Sequence, residues 1–452
     1  MAPTFQEDGS SSVTSSPLHF FSMMSLSPGS SAYPWIRELK SEERGLYLIH
    51  LLLTCATHVA TGSLESANIA LDQISQIASP DGDTMQRIAS YFTEALASRI
   101  LKSWPGLYRA LNSTRMPTVH EEILARKLFL EVFPFLKIMY LVTNQAIIEA
   151  MEGEKMIHII DLCSAEPAQW VALLQMLSAR PEGPPHLRIT GIHQQKEVLD
   201  QMAQRLNVEA ERLDIPFQFN PVVSALERLD FDSLRVKTGE ALAISSILQL
   251  HKLLASDDDR FNNPEKPRNQ HQATFGELIE KDTSPDSTSS SPLSFSTKMD
   301  SFLMDLRSLS PKVVVVAEQD SNHNSPTLME RLTEALYYYA ALFDCLESRV
   351  SRTSPERLRV EKVLLGEEIK NIIACEGRER KERHEKLHKW AQRLNAAGFG
   401  ASPLSYHAML QARRLLQGYG CDGYQLRDEN GSIVLCWQDR ALFCVSAWRC
   451  RR

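Results

Sequence analysis

Several features that would decide function quickly are missing from this sequence. Its 452 residues include eight cysteines (Cys55, Cys163, Cys345, Cys375, Cys421, Cys436, Cys444 and Cys450), none in a Cys-x-x-Cys pair. The 13 histidines do not fall into a zinc-finger spacing around them. No apolar run approaches the roughly 18 residues of a membrane-spanning helix. The first residues lack the basic start and apolar stretch of a secretory signal. These absences set the expectation of an intracellular chain with reduced, buried thiols, no structural metal and no membrane contact. A basic excess is missing too: 49 Lys and Arg stand against 56 Asp and Glu, a formal charge of 49 − 56 = −7. Autonomous nucleic-acid binders carry a basic face, so this balance speaks against one. The remainder is ordinary, with 43% apolar and 23% charged residues, enough to build a folded core.

Organisation follows from shifts in pattern. Residues 1–34 are Ser-rich, without periodicity, and are expected to be disordered. Residues 35–150 repeat apolar positions at helical spacing, as in Ile49, Leu52, Leu53, Ala56, Val59 and Ala60, and read as a helical cap. Gly62 ends that run and Ser63 is placed to cap the next helix; further helices are expected over Met85–Leu101 and Val119–Glu149. From Met156 short β-branched runs alternate with helical stretches: Met156–Ile160, Leu187–Ile192, Phe217–Val223, Ala241–Ile244 and Lys312–Ala317. Continuously apolar strands separated by helices imply a parallel sheet covered on both faces. Three late strands, with Asn430-Gly431 as a hairpin turn, complete a Rossmann-like, methyltransferase-like α/β core over 151–255 and 299–452. Residues 256–298 interrupt it with a polar stretch that reads as a mobile insertion.

The turn after the first strand is the diagnostic place in such a sheet. A methyl donor or dinucleotide requires glycines there, so that backbone N–H groups can approach the ligand. The chain instead reads Asp161-Leu-Cys-Ser-Ala-Glu-Pro-Ala168, and His193-Gln194-Gln195 stands where an acid would hold a ribose. No cofactor is therefore expected. His158 and Asp161 lie near the end of the same strand; a catalytic pair would need Cys163 or Ser164 as nucleophile. The simpler reading has Asp161 capping the turn and His158 bonded to a backbone carbonyl.

The same residues carry a resemblance. Met156-Ile-His158-Ile159-Ile160-Asp161 with Gln169-Trp170 resembles the VHIID block of the plant GRAS family. Leu342-Phe-Asp-Cys-Leu-Glu347 resembles its PFYRE region, Arg359-Val360-Glu361-Lys362 its RVER element, and Ser446-Ala447-Trp448 its SAW block. The resemblance spans roughly Glu42–Arg452. It implies a nuclear transcriptional co-regulator, not an enzyme, working through C2H2 zinc-finger transcription factors and other GRAS proteins, DELLA repressors included. It further implies roles in gibberellin signalling and root development, with DNA reached indirectly. The alternatives are direct sequence-specific DNA binding and a methyl-donor-dependent enzyme.

Smaller motifs have two readings each. Leu48-Ile-His-Leu51-Leu52 fits a leucine docking motif, as does Leu250-His-Lys-Leu-Leu254, but such leucines also build cores. Glu376–Arg393 mixes charges at helical spacing and reads as a solvated helix, with Arg380 and Arg383 exposed. Ser325-Pro326, Ser354-Pro355 and Ser402-Pro403 read as helix caps followed by a first-turn proline; Ser284-Pro285 and Ser291-Pro292 are better placed for phosphorylation. Trp390, Trp437 and Trp448 are expected in the core.

Overall fold

Helix capping and strand patterning set the element boundaries in the computed structural model, which describes residues 40–112, 118–260, 297–420 and 422–451. The Ser-rich start and most of the 256–298 stretch, with Ser284 and Ser291, lie outside the described residues. Contacts divide the chain at Arg44–Gly45, and the sheet belongs to the second unit.

Among the described residues six helices come first: α1 (Ser41–Thr61), α2 (Leu64–Ser75), α3 (Thr84–Leu101), α4 (Pro105–Asn112), α5 (Val119–Val132) and α6 (Pro134–Ala150). Asp83 with Gln86 and Thr118 with Glu121 form capping boxes that fix the starts of α3 and α5. The single helix expected over Val119–Glu149 is two, because Pro134 has no N–H to continue α5 and instead opens α6. α4 is an addition that the sequence pattern did not show. Ser63 sits at the cap position of α2, but its side chain makes no capping bond.

Then follow β1 (Met156–Asp161), α7 (Ala168–Ser178), β2 (His186–His193), α8 (Lys196–Arg212), β3 (Phe217–Val223) and β4 (Ala241–Ile247). A 3-10 turn over Leu250–Arg260, α9 (Thr297–Ser308) and β5 (Val313–Gln319) come next. Beyond them lie α10 (Leu328–Glu347), α11 (Pro355–Val360), a π-turn (Glu361–Gly366), α12 (Glu367–Ala374), α13 (Leu387–Ala396), β6 (Phe399–Ser402) and α14 (Tyr406–Gln417). Strands β7 (Tyr424–Glu429), β8 (Ser432–Trp437) and β9 (Arg440–Cys450) close the chain. Ser354 caps α11 as its Pro implies. The other two Ser-Pro pairs do not: Thr327 caps α10 and Ser405 caps α14.

The strand order is β3-β2-β1-β4-β5-β9-β8-β7, with β6 also paired to β9. β1 to β5 run parallel, and β9 inserts antiparallel beside β5. This is a Rossmann-like, methyltransferase-like sheet. Asn430 and Gly431 both have positive φ, 54° and 80°, as a tight hairpin between β7 and β8 requires. Trp390, Trp437 and Trp448 are all buried. α10 and α12 pack on α3, so the helical layer draws on both ends of the chain.

Candidate functional site at the carboxyl edge of the sheet

The turn after β1 is closed by its own hydrogen bonds. Asp161 accepts from the Cys163 N–H (3.0 Å), the Ser164 hydroxyl (2.8 Å) and the Trp170 indole (2.7 Å). Burial pushes its carboxyl up, and those three donors pull the other way. The Leu162 N–H donates to the Ser245 carbonyl (2.9 Å) and the Ser164 N–H to the Ile192 carbonyl (3.2 Å). The amides that would face a phosphate or a methyl donor in a glycine turn are thus spent on neighbouring strands. Gly191 is required opposite: a Cβ there would meet Ser164 Oγ at 2.4 Å and Phe219 Cζ at 2.6 Å.

Two clefts flank the turn. The one between Cys163, Ile192, His193, Gln195, Ala225 and Gln249 holds about 200 Å³, and the one against Ala165, Glu166 and Pro167 about 310 Å³, at the bottom of the roughly 300–1,000 Å³ range of small-molecule sites. The His193 ring is turned into its own loop, where Nδ1 accepts from the Gln195 N–H at 3.1 Å. Burial raises the Cys163 thiol, so it is no activated nucleophile. The residues present do not fit S-adenosylmethionine.

His158 and Asp161 are three positions apart on one strand and therefore face opposite sides of the sheet. His158 is fully buried. Its Nε2 donates to Thr190 Oγ1 (2.8 Å) and its Nδ1 accepts from Arg188 (3.1 Å), the tautomer assigned from these partners. The expected backbone-carbonyl partner is thus replaced by side chains. Arg188 is in turn held by Glu240 and the Arg235 carbonyl. Burial, then Arg188, hold the imidazole down to about 4. Sequence reasoning passed over Arg188 and Glu240; an arginine inside an otherwise apolar strand was the available signal.

Most of the other singled-out residues make contacts inside the fold. Gln169 pairs with Asn144 of α6, bonding α7 to the helical layer. Of Arg359, Val360, Glu361 and Lys362, the first and last are exposed while Val360 and Glu361 are buried. Glu361 lies 3.1 Å from Arg87 and 3.3 Å from Arg357, tying α3 to α11. Ser446 accepts from the Trp448 indole at 2.9 Å, and Ala447 and Trp448 pack in β9 against β5 and β6. Leu48, Leu51 and Leu52 are 0%, 5% and 0% exposed, so the docking reading gives way to core packing. Leu250, Leu253 and Leu254 are buried likewise.

The solvated helix expected over Glu376–Arg393 is overturned. Only Leu387–Ala396 is α-helical, and Arg380 and Arg383 are each 4% exposed. Arg380 donates to the His323 carbonyl (3.0 Å); Arg383 donates to the carbonyls of Arg380 (3.0 Å) and Gly377 (2.8 Å) and to Asn324 (3.2 Å). A charged segment turns inward when its donors find acceptors, and here backbone carbonyls supply them.

Comparison with known proteins agrees with this architecture. The GRAS domain family model matches residues 48–449. The chain is 64% identical to Scarecrow-like protein 3 of Arabidopsis thaliana, with both covered completely. It is 51% identical to GRAS family protein TF80 of Medicago truncatula, over 93% of this chain and 99% of that protein. The crystal structure of SCL7 from Oryza sativa superposes with a TM-score of 0.71 at 31% identity, covering 89% of this chain and 99% of that one. Among the described residues no helix is long and apolar enough to cross a membrane. The resemblance first carried by Met156–Asp161, Arg359–Lys362 and Ser446–Trp448 therefore stands: the chain belongs to the GRAS domain family.

Proposed function

We propose that the chain is a nuclear transcriptional co-regulator that reaches DNA through protein partners rather than by its own contacts. The observation that carries this reading is the turn after β1, whose amides are spent internally while the Rossmann-like frame around it is kept. A frame without its ligand turn serves as a scaffold for surfaces. The net charge of −7 supports recognition of DNA by a partner, and C2H2 zinc-finger factors supply the phosphate contacts this chain is short of.

Pairing with other GRAS proteins, DELLA repressors among them, has a candidate surface in α4. That helix buries none of its residues, and Trp104, Leu107 and Leu111 expose 47%, 49% and 45% along one stripe. Gibberellin signalling and root development are the processes in which we place it.

A mobility-shift assay at physiological salt tests the reading. The purified chain alone leaves promoter DNA unshifted and supershifts a complex of DNA with a zinc-finger partner. Tight, sequence-selective retardation by the chain alone would replace the co-regulator with a direct DNA reader. Calorimetry with S-adenosylmethionine separates the enzyme alternative: binding at micromolar affinity or tighter would revive it.

A further inference from the structure

On the other half of the sheet's carboxyl edge, burial brings together side chains from three separate parts of the sequence. We propose that His251, Glu382 and His384 form a binding site for one divalent transition-metal ion of the zinc class, with Glu318 and His323 orienting the two imidazoles from behind.

Geometry comes first. The nearest ligand atoms of the three residues all lie within 4.8 Å of one another. Glu382 Oε2 is 3.0 Å from His251 Nε2 and 3.2 Å from His384 Nε2. A tetrahedral ion with bonds of about 2.0–2.1 Å separates its ligand atoms by about 3.3 Å, so these spacings open by only tenths of an ångström. His251 and His384 are 2% and 0% exposed, whereas the Glu382 side chain is 17% exposed. An ion therefore enters past Glu382, and a water completes its coordination from that side.

The hydrogen bonds behind the imidazoles give the stronger argument. His251 Nδ1 lies 2.7 Å from Glu318 Oε2, and Glu318 Oε1 accepts from the Gln249 N–H (3.0 Å) and Leu250 N–H (2.7 Å). A carboxylate on Nδ1 with Nε2 pointing into the site is the usual support of a metal-bound histidine. On the second imidazole, a chain of bonds has a fixed direction. Burial raises the Glu334 carboxyl, but Lys386 and Arg440 outweigh that and hold it at about 2, so it is an acceptor only. Ser321 must donate to it (3.0 Å), and His323 Nε2 then donates to Ser321 Oγ (2.9 Å). His323 Nδ1 is left as an acceptor for His384 Nδ1–H at 2.9 Å.

That tautomer leaves the His384 Nε2 lone pair facing a carboxylate oxygen, and this buried nitrogen has no hydrogen-bond partner. Two lone pairs at 3.2 Å repel unless a cation lies between them. Glu318 and Glu382 flank His251, one at each ring nitrogen, so a divalent ion bound at Nε2 displaces the proton shared with Glu382 and balances both carboxylates with the imidazoles neutral; Lys252 lies nearby but its side chain is only partly buried.

The test uses the full chain, stripped with a chelator and reconstituted separately with Zn²⁺ and Co²⁺. One equivalent of zinc per chain should survive gel filtration. The cobalt form should show d–d absorption without thiolate-to-cobalt charge transfer, because the ligands are nitrogen and oxygen rather than any of the cysteines. Glu382→Gln, a conservative change at the partly exposed ligand, should weaken zinc binding at least tenfold, as should His384→Gln; circular dichroism checks that both remain folded. Retention of less than about a tenth of an equivalent by the unmodified chain overturns the proposal. A thiolate-type cobalt spectrum, or a folded Glu382→Gln chain that titrates like the parent, overturns it equally.

Discussion

The carboxyl edge of the parallel sheet is finished in two different ways. At β1 and β2 it is closed: Asp161 gathers three donors, the turn amides are spent on neighbouring strands, and Gly191 lets Ser164 fill the gap. At β4 and β5 it is crowded with charge: Glu318, His251 and His384 are buried and meet the partly exposed Glu382. The first half satisfies its own polar groups, which costs little. The second half holds ionisable groups whose burial requires exact pairing. The edge where such a fold usually carries its ligand can therefore be closed by its own bonds while ionisable groups gather two strands away.

The largest effect should come from breaking the charged half. Glu318→Ala strands the N–H groups of Gln249 and Leu250 and removes the partner of His251. In the metal-free chain burial lowers the His251 imidazole but Glu318 and Glu382 outweigh it and push it up to about 9, so removing Glu318 breaks a buried ion pair and costs about 3–5 kcal/mol, measured as a fall in the urea midpoint at unchanged slope. A loss under about 1 kcal/mol would show that the cluster is solvated and would erase the contrast between the halves.

The β1–β2 half should betray itself in acid. His158 is held at about 4 in the folded chain, against about 6.5 unfolded. Between those values the unfolded chain binds a proton that the folded chain refuses. Stability is thus fully present above about pH 6.5 and falls as pH drops toward 4, by on the order of 3 kcal/mol. Unfolding free energy measured against pH should show this limb, and His158→Gln should flatten it relative to the parent. Equal slopes would mean that His158 is protonated alongside Glu240 in the folded chain.

Much of the first half was legible in the sequence and little of the second. The apolar runs at Met156 and Ala241 reveal parallel strands because burial on both faces leaves no polar alternation. Asp161 at a strand end, followed by a turn without glycine, already implies a self-capped turn. Even the separation of His158 from Asp161 follows from strand parity. By contrast, Arg380 and Arg383 look like any surface arginines, because a carbonyl that will accept from them leaves no mark in residue type. His251 and Glu382 are 131 positions apart. Only the crossing of β4, β5 and the segment before α13 puts them together, and no local spacing encodes that. α4 escaped notice for the opposite reason: its stripe is too short to stand out among longer amphipathic helices.

A milder change sharpens the picture of the closed half. Asp161→Asn keeps the shape but turns one acceptor oxygen into a donor, facing either the Cys163 N–H at Oδ1 or both the Ser164 hydroxyl and the Trp170 indole at Oδ2. A buried donor left unsatisfied costs about 1–3 kcal/mol. Urea unfolding should place the variant between Glu318→Ala and the parent. A cost near zero would mean that water already reaches the turn, reopening the cofactor reading for this edge.

The smallest effect on stability is expected where the chain has closed nothing. Trp104, Leu107 and Leu111 face solvent and α4 buries none of its residues, so Leu107→Glu with Leu111→Glu removes no core contact. Substitutions of this kind usually stay within about 0.5 kcal/mol. The melting temperature should move by no more than about 2 °C, since a chain of this size shifts by roughly 2–4 °C per kcal/mol. Pairing is a different matter. If α4 carries the contact with another GRAS protein, two carboxylates on its stripe place charge in the centre of an apolar interface, and co-purification with that partner should fail while folding is intact. A double variant that pairs as the parent does would move the pairing surface off α4. A double variant that unfolds would show that the stripe is covered from within the chain. Neither result touches the two halves of the sheet edge, so this test separates the scaffold from the surface it presents.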